Sequence, residues 1–294
     1  MKRIFLNSIL LLTFAAVSCN RTAAPEIPDD GRIAFTLGGA VMDAVVSTRA
    51  TVVNKASLEA SGIQVAAATG TAGSADVEVW NAPFAKSGTV FAGDKYWPIS
   101  NPGYHFYSSN VALTRDAAGK GYTVAASNAT DVVCAYLASP VYKATNTLTY
   151  SHVFARLGDV TVTAAPNYTI SAVNITVVPL TGGTYNLFTG NGKTDGTGWS
   201  ATSAGSATAI ANATPGTKAN DIWLVPGTYE LTATWTATRG NYTETFTAKK
   251  KTVALTAGKV NKITTTLGGN AEEVLFSVDV VEWSDVTVPV EFDI

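Results

Sequence analysis

The sequence predicts an all-β chain of two tandem β-sandwich domains, and three observations carry that prediction. Hydrophobic residues make up 46% of the 294 positions and charged residues only 14%, with Thr, Val, Ala, Gly and Tyr dominant; this composition favours pleated strands joined by small-residue turns. Short β-like runs recur along the chain with turn residues between them, the spacing of sandwich strands. No helical segments alternate with these runs, which argues against a doubly wound or barrel α/β fold. The length leaves room for two ordinary domains once a targeting segment is set aside.

That segment comes first. Lys2 and Arg3 precede an apolar stretch from Ile9 to Val17, the pattern of an export signal over residues 1–18. The stretch is short of the roughly 20 apolar residues a transmembrane helix needs. Ala16-Val17-Ser18-Cys19 resembles a bacterial lipobox, in which the cysteine is acylated before the signal peptide is cut in front of it; Leu is usual where Ala16 stands. Cys19 is therefore the expected lipidation site, with several acyl chains each contributing about 0.8 kcal/mol per buried methylene to an outer-membrane anchor. Cys134, the only other cysteine, then lacks an intramolecular partner and reads as a small buried residue of a strand from Val132 to Tyr136. Residues 19–31 hold Pro25, Pro28, Asp29 and Asp30 without apolar periodicity, as a tether does.

The first sandwich is expected over residues 32–165. Ile33, Phe35 and Leu37 alternate with Ala34 and Thr36, the period of a strand with one buried face. This strand ends at Gly38-Gly39, and a stretch of polar and small residues carrying Ser47-Thr48-Arg49-Ala50 comes next. Asn54 can cap a short helix through Leu58, which Gly62 stops. Strands are then expected at Ile63–Ala68, Asp76–Trp80, Tyr104–Ser109, Tyr122–Ala125, Val132–Tyr136, Leu148–Phe154 and Asp159–Ala164, with a boundary near Ala164 to Asn167. The second sandwich, residues 166–294, is expected to hold strands at Ile170–Val178, Tyr185–Phe188, Ile222–Leu224, Tyr229–Thr236, Tyr242–Thr247, Val260–Leu267 and Val274–Trp283. At the end, Val286, Val288, Val290, Phe292 and Ile294 alternate with Thr287, Pro289, Glu291 and Asp293. Such a strand can close its own sandwich, as Pro289 at an edge would allow, or be handed to another molecule.

Several chemistries lack their residues. Twenty Lys and Arg against 22 Asp and Glu give a net charge of -2, without the basic field that attracts phosphate backbones. The two histidines, His105 and His152, sit in aromatic strand surroundings, where packing and local hydrogen bonding are their expected roles. Ser151 points to the opposite strand face from His152, so the two are not a nucleophile and base. No Cys/His spacing suits zinc and no acidic spacing suits calcium, and neither a metal nor a cofactor is expected. Gly192-Lys193-Thr194 matches the tail of a phosphate-binding loop, but the glycine needed five residues earlier is Leu187. Trp80, Trp97, Trp199, Trp223, Trp235 and Trp283 could include a carbohydrate-stacking platform or could pack in cores and interfaces.

Taken in order, several segments resemble the fimbrillin-like (Mfa-like) family, the lipoprotein pilins of type V pili. They are Ser47-Thr48-Arg49-Ala50, Tyr96-Trp97-Pro98-Ile99 with Tyr104-His105-Phe106-Tyr107, Tyr150-Ser151-His152-Val153-Phe154-Ala155-Arg156-Leu157, Ile222-Trp223-Leu224-Val225-Pro226-Gly227, Ala257-Gly258-Lys259-Val260-Asn261 and Val281-Glu282-Trp283. The resemblance implies two transthyretin-like sandwiches, delivery to the outer membrane as a lipoprotein, and a structural role in a fimbrium without enzymatic activity. It also implies maturation by cleavage between Arg49 and Ala50. The strand Ile33, Phe35, Leu37 would be released, and Val286, Val288, Val290, Phe292 and Ile294 of another subunit would fill its groove. Partners would be other pilin subunits. The competing reading is a tip adhesin or glycan-binding lipoprotein whose exposed tryptophans hold a host protein or glycan.

Overall fold

The computed structural model describes residues 31–39, 52–125, 130–164, 166–200, 203–206, 208–212, 222–247, 251–267 and 274–282. The chain opens with β1 (Arg32–Gly39), α1 (Lys55–Ser61), β2 (Ile63–Thr71), β3 (Ala75–Ser87), β4 (Val90–Tyr96) and β5 (His105–Ser109). Next come β6 (Thr114–Arg115), β7 (Tyr122–Ala125), β8 (Val133–Leu137), β9 (Asn146–His152) and β10 (Ala155–Ala164). The rest comprises β11 (Thr169–Val177), β12 (Leu180–Thr181), β13 (Thr184–Asn186), β14 (Ser203–Ala204), β15 (Thr208–Asn212), β16 (Ile222–Leu224), β17 (Gly227–Arg239), β18 (Tyr242–Thr247), β19 (Lys251–Leu255), β20 (Lys259–Leu267) and β21 (Val274–Glu282). The all-β expectation holds. The one described helix begins at the anticipated cap: the Asn54 side chain accepts from the Ser57 N–H, Ser57 returns the bond, and the chain leaves at Gly62.

Seven strands close into a barrel in the order β1-β4-β3-β2-β5-β8-β9. Its interior is filled by one apolar cluster that includes Ile33, Phe35, Leu58, Phe84, Phe91, Phe106, Leu148 and Tyr150. Farther along, β16-β10-β20-β21 form one sheet, and β15-β11-β17-β18, with β19 also on β17, form another. Leu157 and Leu224 from the first of these pack with Val173, Ile175, Leu231, Trp235 and Leu255 from the second, so a sandwich core lies between them. The expected division at 165/166 falls after β10, a strand hydrogen-bonded to β16 and β20.

A third cluster joins the barrel to the later strands. Outward residues of the barrel wall, Ala66, Tyr107 and Cys134, pack with Tyr122, Phe154, Tyr185, Leu187 and Trp223, and β13 pairs antiparallel with β7. β4 reads Val-Phe-Ala-Gly-Asp-Lys-Tyr, where glycine and charge interrupt the period-2 alternation.

Cys134 is buried on β8, as expected, with its Sγ 3.8 Å from the Ser109 hydroxyl. Burial pushes its thiol up to about 12, so the sulfur stays protonated, and therefore weakly nucleophilic, across the neutral range. In protein lacking residues 1–19, Ellman's reagent at pH 8 should find no reactive thiol in the folded state and one per chain in denaturant.

Candidate functional site

The site is β1 and the groove it occupies. On one side it runs antiparallel to β4, pairing Arg32 with Tyr96, Ala34 with Ala92 and Phe35 with Phe91. On the other it runs parallel to β9, from Phe35 against Asn146 to Gly39 against Tyr150. One eight-residue strand therefore supplies the partners for both facing edges and closes the barrel. Without it, the N–H and C=O groups of two strand edges and the apolar interior would meet solvent.

Side chains fix its register. Phe35 is fully buried, with its ring 5.4 Å from Phe84 and 5.0 Å from Phe106, both edge-on. Ile33 is equally buried in the same cluster, and Leu37 is half-buried against it. Ala34, expected on the open face, is buried too, so this part of β1 is enclosed on both faces. The Thr36 and Thr147 hydroxyls lie 2.9 Å apart across the strands. Gly31 accepts the Trp97 N–H at 2.9 Å, and the Arg32 guanidinium donates to the Tyr96 hydroxyl at 3.3 Å while lying 5.6 Å from its ring centroid. At the other end Gly39 has φ +81, and a Cβ there would come within 2.3 Å of the Tyr150 carbonyl oxygen; only glycine fits.

From Val52 onward the chain is held firmly. Val52 packs into the wall cluster and Val53 into the barrel interior. The Val53 N–H donates to Asp131 Oδ2 at 2.8 Å. Asp131 Oδ1 lies 3.0 Å from His152 Nδ1, and both side chains are wholly buried. His152 is the last residue of β9, just past the end of its pairing with β1. His105 is likewise buried against Asp76, whose carboxylate also accepts the Tyr107 hydroxyl at 3.1 Å and the Gly73 N–H at 2.7 Å. Both histidines are structural in surroundings, but their partners are not local as anticipated: Asp76 and Asp131 lie 29 and 21 residues away in sequence. Period and composition carry no signal for such pairs, and neither β4 nor Asp131 was legible as part of a site.

Of the anticipated site residues, Ile33, Phe35 and Leu37 come together in the groove. Cys19, Arg49, Ala50, Val286, Val288, Val290, Phe292 and Ile294 lie outside the described residues. Trp97, Trp223 and Trp235 are buried, Trp80 and Trp199 are half-buried, and Trp283 lies outside the described residues. Among the described residues no group of three His, Cys, Asp or Glu side chains could hold a metal ion.

Barrel, sandwich and N-terminal closing strand define an all-β protein of packed, mostly antiparallel sheets, in which β1 and β10 each also pair in parallel with a strand distant in sequence. The chain belongs to the fimbrillin-like family, whose model matches residues 48–283. Among solved structures it is similar to a candidate cell adhesion protein from Bacteroides uniformis ATCC 8492, with 19% identity and TM-score 0.55, covering 87% of this chain and 99% of that one. It is also similar to a fimbrial protein from Bacteroides vulgatus ATCC 8482, with 12% identity and TM-score 0.58, covering 85% of this chain and 99% of that one. At these identities the likeness is one of fold. No curated protein matches the sequence.

Two measurements check this arrangement. Phe35→Ala should destabilise the uncut chain by about 3–5 kcal/mol in urea unfolding, and Thr36→Ala by less than about 1.5 kcal/mol. Asp131→Ala should cost about 1–3 kcal/mol for each buried partner it strips; Asp131→Asn, which keeps an oxygen for the Val53 N–H, should cost less.

Proposed function

We propose that the chain is a structural subunit of a type V-like fimbrium, exported as a lipoprotein acylated at Cys19 and delivered to the outer membrane. Cleavage between Arg49 and Ala50 frees β1, and Val286–Ile294 of another copy takes its place, so that subunits join head to tail at the cell surface. The single observation that carries this reading is that β1 alone closes the barrel, pairing on both edges with strands far from it in sequence. The family match supports it, because residues 48–283 begin after β1 and stop before the alternating terminus.

The surroundings of the neighbouring basic residues support Arg49 as the position of the cut. Arg32 is paired within β1 and Lys55 begins a capped helix; a protease needs an extended, accessible chain, which neither offers. Arg49 is the remaining basic residue between them. A division into two domains, with β10 on the side of the later sheets, and a transthyretin-like plan for each half belong to the same proposal.

Energetics give the exchange its direction. Burying five residues such as Val, Phe and Ile yields about 7–15 kcal/mol, comparable with roughly 1–2 kcal/mol per residue for ordering a nine-residue strand. Net affinity then comes from main-chain pairing with β4 and β9 in a groove that is already rigid. The cut removes the covalent advantage of β1, and the open groove is an aggregation hazard until it is filled.

The test is limited trypsin digestion of signal-less protein, with mass spectrometry of the new N-terminus and electron microscopy over days. A stable fragment beginning at Ala50, and concentration-dependent filaments that vanish on deletion of residues 286–294, are the expected results. A fragment that forms and stays monomeric would overturn the stalk role.

A further inference from the structure

Resting on the strand-exchange reading, we propose that a second copy of this chain docks on the barrel end capped by Tyr96, Ile99 and Val141, with its terminal strand entering parallel to β9, as β1 runs. Ile99 is 98% exposed, Val141 65% and Tyr96 51%. Single exposed apolar residues are ordinary, but exposed apolar residues on two loops that are bonded to each other fit a contact surface. The Tyr142 hydroxyl donates to the carbonyls of both Pro98 and Ile99, joining the two loops that carry the cap. Beneath them the buried Trp97 stacks on Tyr104 and meets Tyr142 edge-on at 5.4 Å.

The place of the cap selects the occupant. Arg32 of β1 pairs with Tyr96, and Gly31 bonds to Trp97, so the cap lies at the end where β1 begins. A strand donated from a carboxyl terminus is joined to its own molecule by its first residue. If it runs as β1 does, that first residue lies at the Arg32 end and the body of the donor is brought against the cap. Reversed, the body would arrive at the Gly39 end, where the neighbours on β9 are Thr149 and Tyr150 and no large apolar side chain among the described residues is exposed. The root of the terminal strand has the chemistry the cap fits: Trp283 between acidic Glu282 and Asp285, opposite an apolar surface with Lys143 Nζ 5.2 Å from the Tyr142 ring centroid. The cut that frees β1 also carries away residues 19–31, which lead into this end.

The test uses full-length signal-less protein nicked after Arg49, its first strand still seated, and a double variant Ile99→Asp with Val141→Asp. Both positions are exposed, so folding should be unaffected, which an unchanged melting temperature checks. A synthetic peptide of residues 283–294 should displace the nicked strand from wild type and variant at rates within about twofold, while filament growth of the variant falls by about tenfold or more, as expected when charge enters an apolar contact. A spin label on the first residue of that peptide should broaden the Asn101 amide and leave Ser151 sharp. Growth of the variant at the wild-type rate, or broadening at Ser151, overturns the inference while leaving strand exchange standing. If the peptide fails to displace the strand from nicked wild type, strand exchange itself falls, and this inference with it.

Discussion

The pairing of β1 with β4 and β9 is the constraint on which the rest of the structure depends. Thr36 meets Thr147 across 111 residues of sequence, so the bond network that closes the barrel is among the most non-local in the chain. Such pairings form late, because loop-closure entropy must be overcome before they contribute. The strand touches its neighbours through main-chain bonds and a few apolar side chains, and the segment 40–51 connects it to the rest of the barrel.

The walls beside β1 have support of their own. The chain from Val52 onward provides this through Val52 and Val53, which enter two different cores, and through the buried Asp131, which joins the Val53 N–H to the end of β9. A buried carboxylate is costly unless its oxygens are engaged; here both are, and they hold together two segments that flank the groove. The shared cluster behind the barrel, where Tyr107 and Cys134 meet Phe154, Tyr185 and Trp223, buttresses the same wall from outside. Packing on the far side of the sheet therefore adds to the rigidity of the strands on either side of β1.

The cap and the groove are parts of one surface. Tyr96 ends β4, pairs with Arg32 and adjoins the loop that presents Ile99, so any molecule that takes the path of β1 from its start passes the exposed apolar group first. The buried histidines, by contrast, are enclosed with their carboxylates and have no route to a substrate.

The sequence by itself determined that the chain is all-β, where most strands lie, that α1 starts at Asn54, and that Ile33, Phe35 and Leu37 form one face of a strand. Each of these is written in local periodicity or in a cap, and local steric and burial rules suffice to read it. Partnership was decided only by the tertiary structure. That β1 sits between β4 and β9, that Ala34 is enclosed as well, that β10 belongs to the later sheets, and that His105 and His152 find Asp76 and Asp131 are all contacts between distant residues. Alternation states which face of a strand is buried and carries no information about which edge it will meet; that is settled by the packing of the whole chain, because an extended backbone offers the same hydrogen-bonding groups to every candidate neighbour.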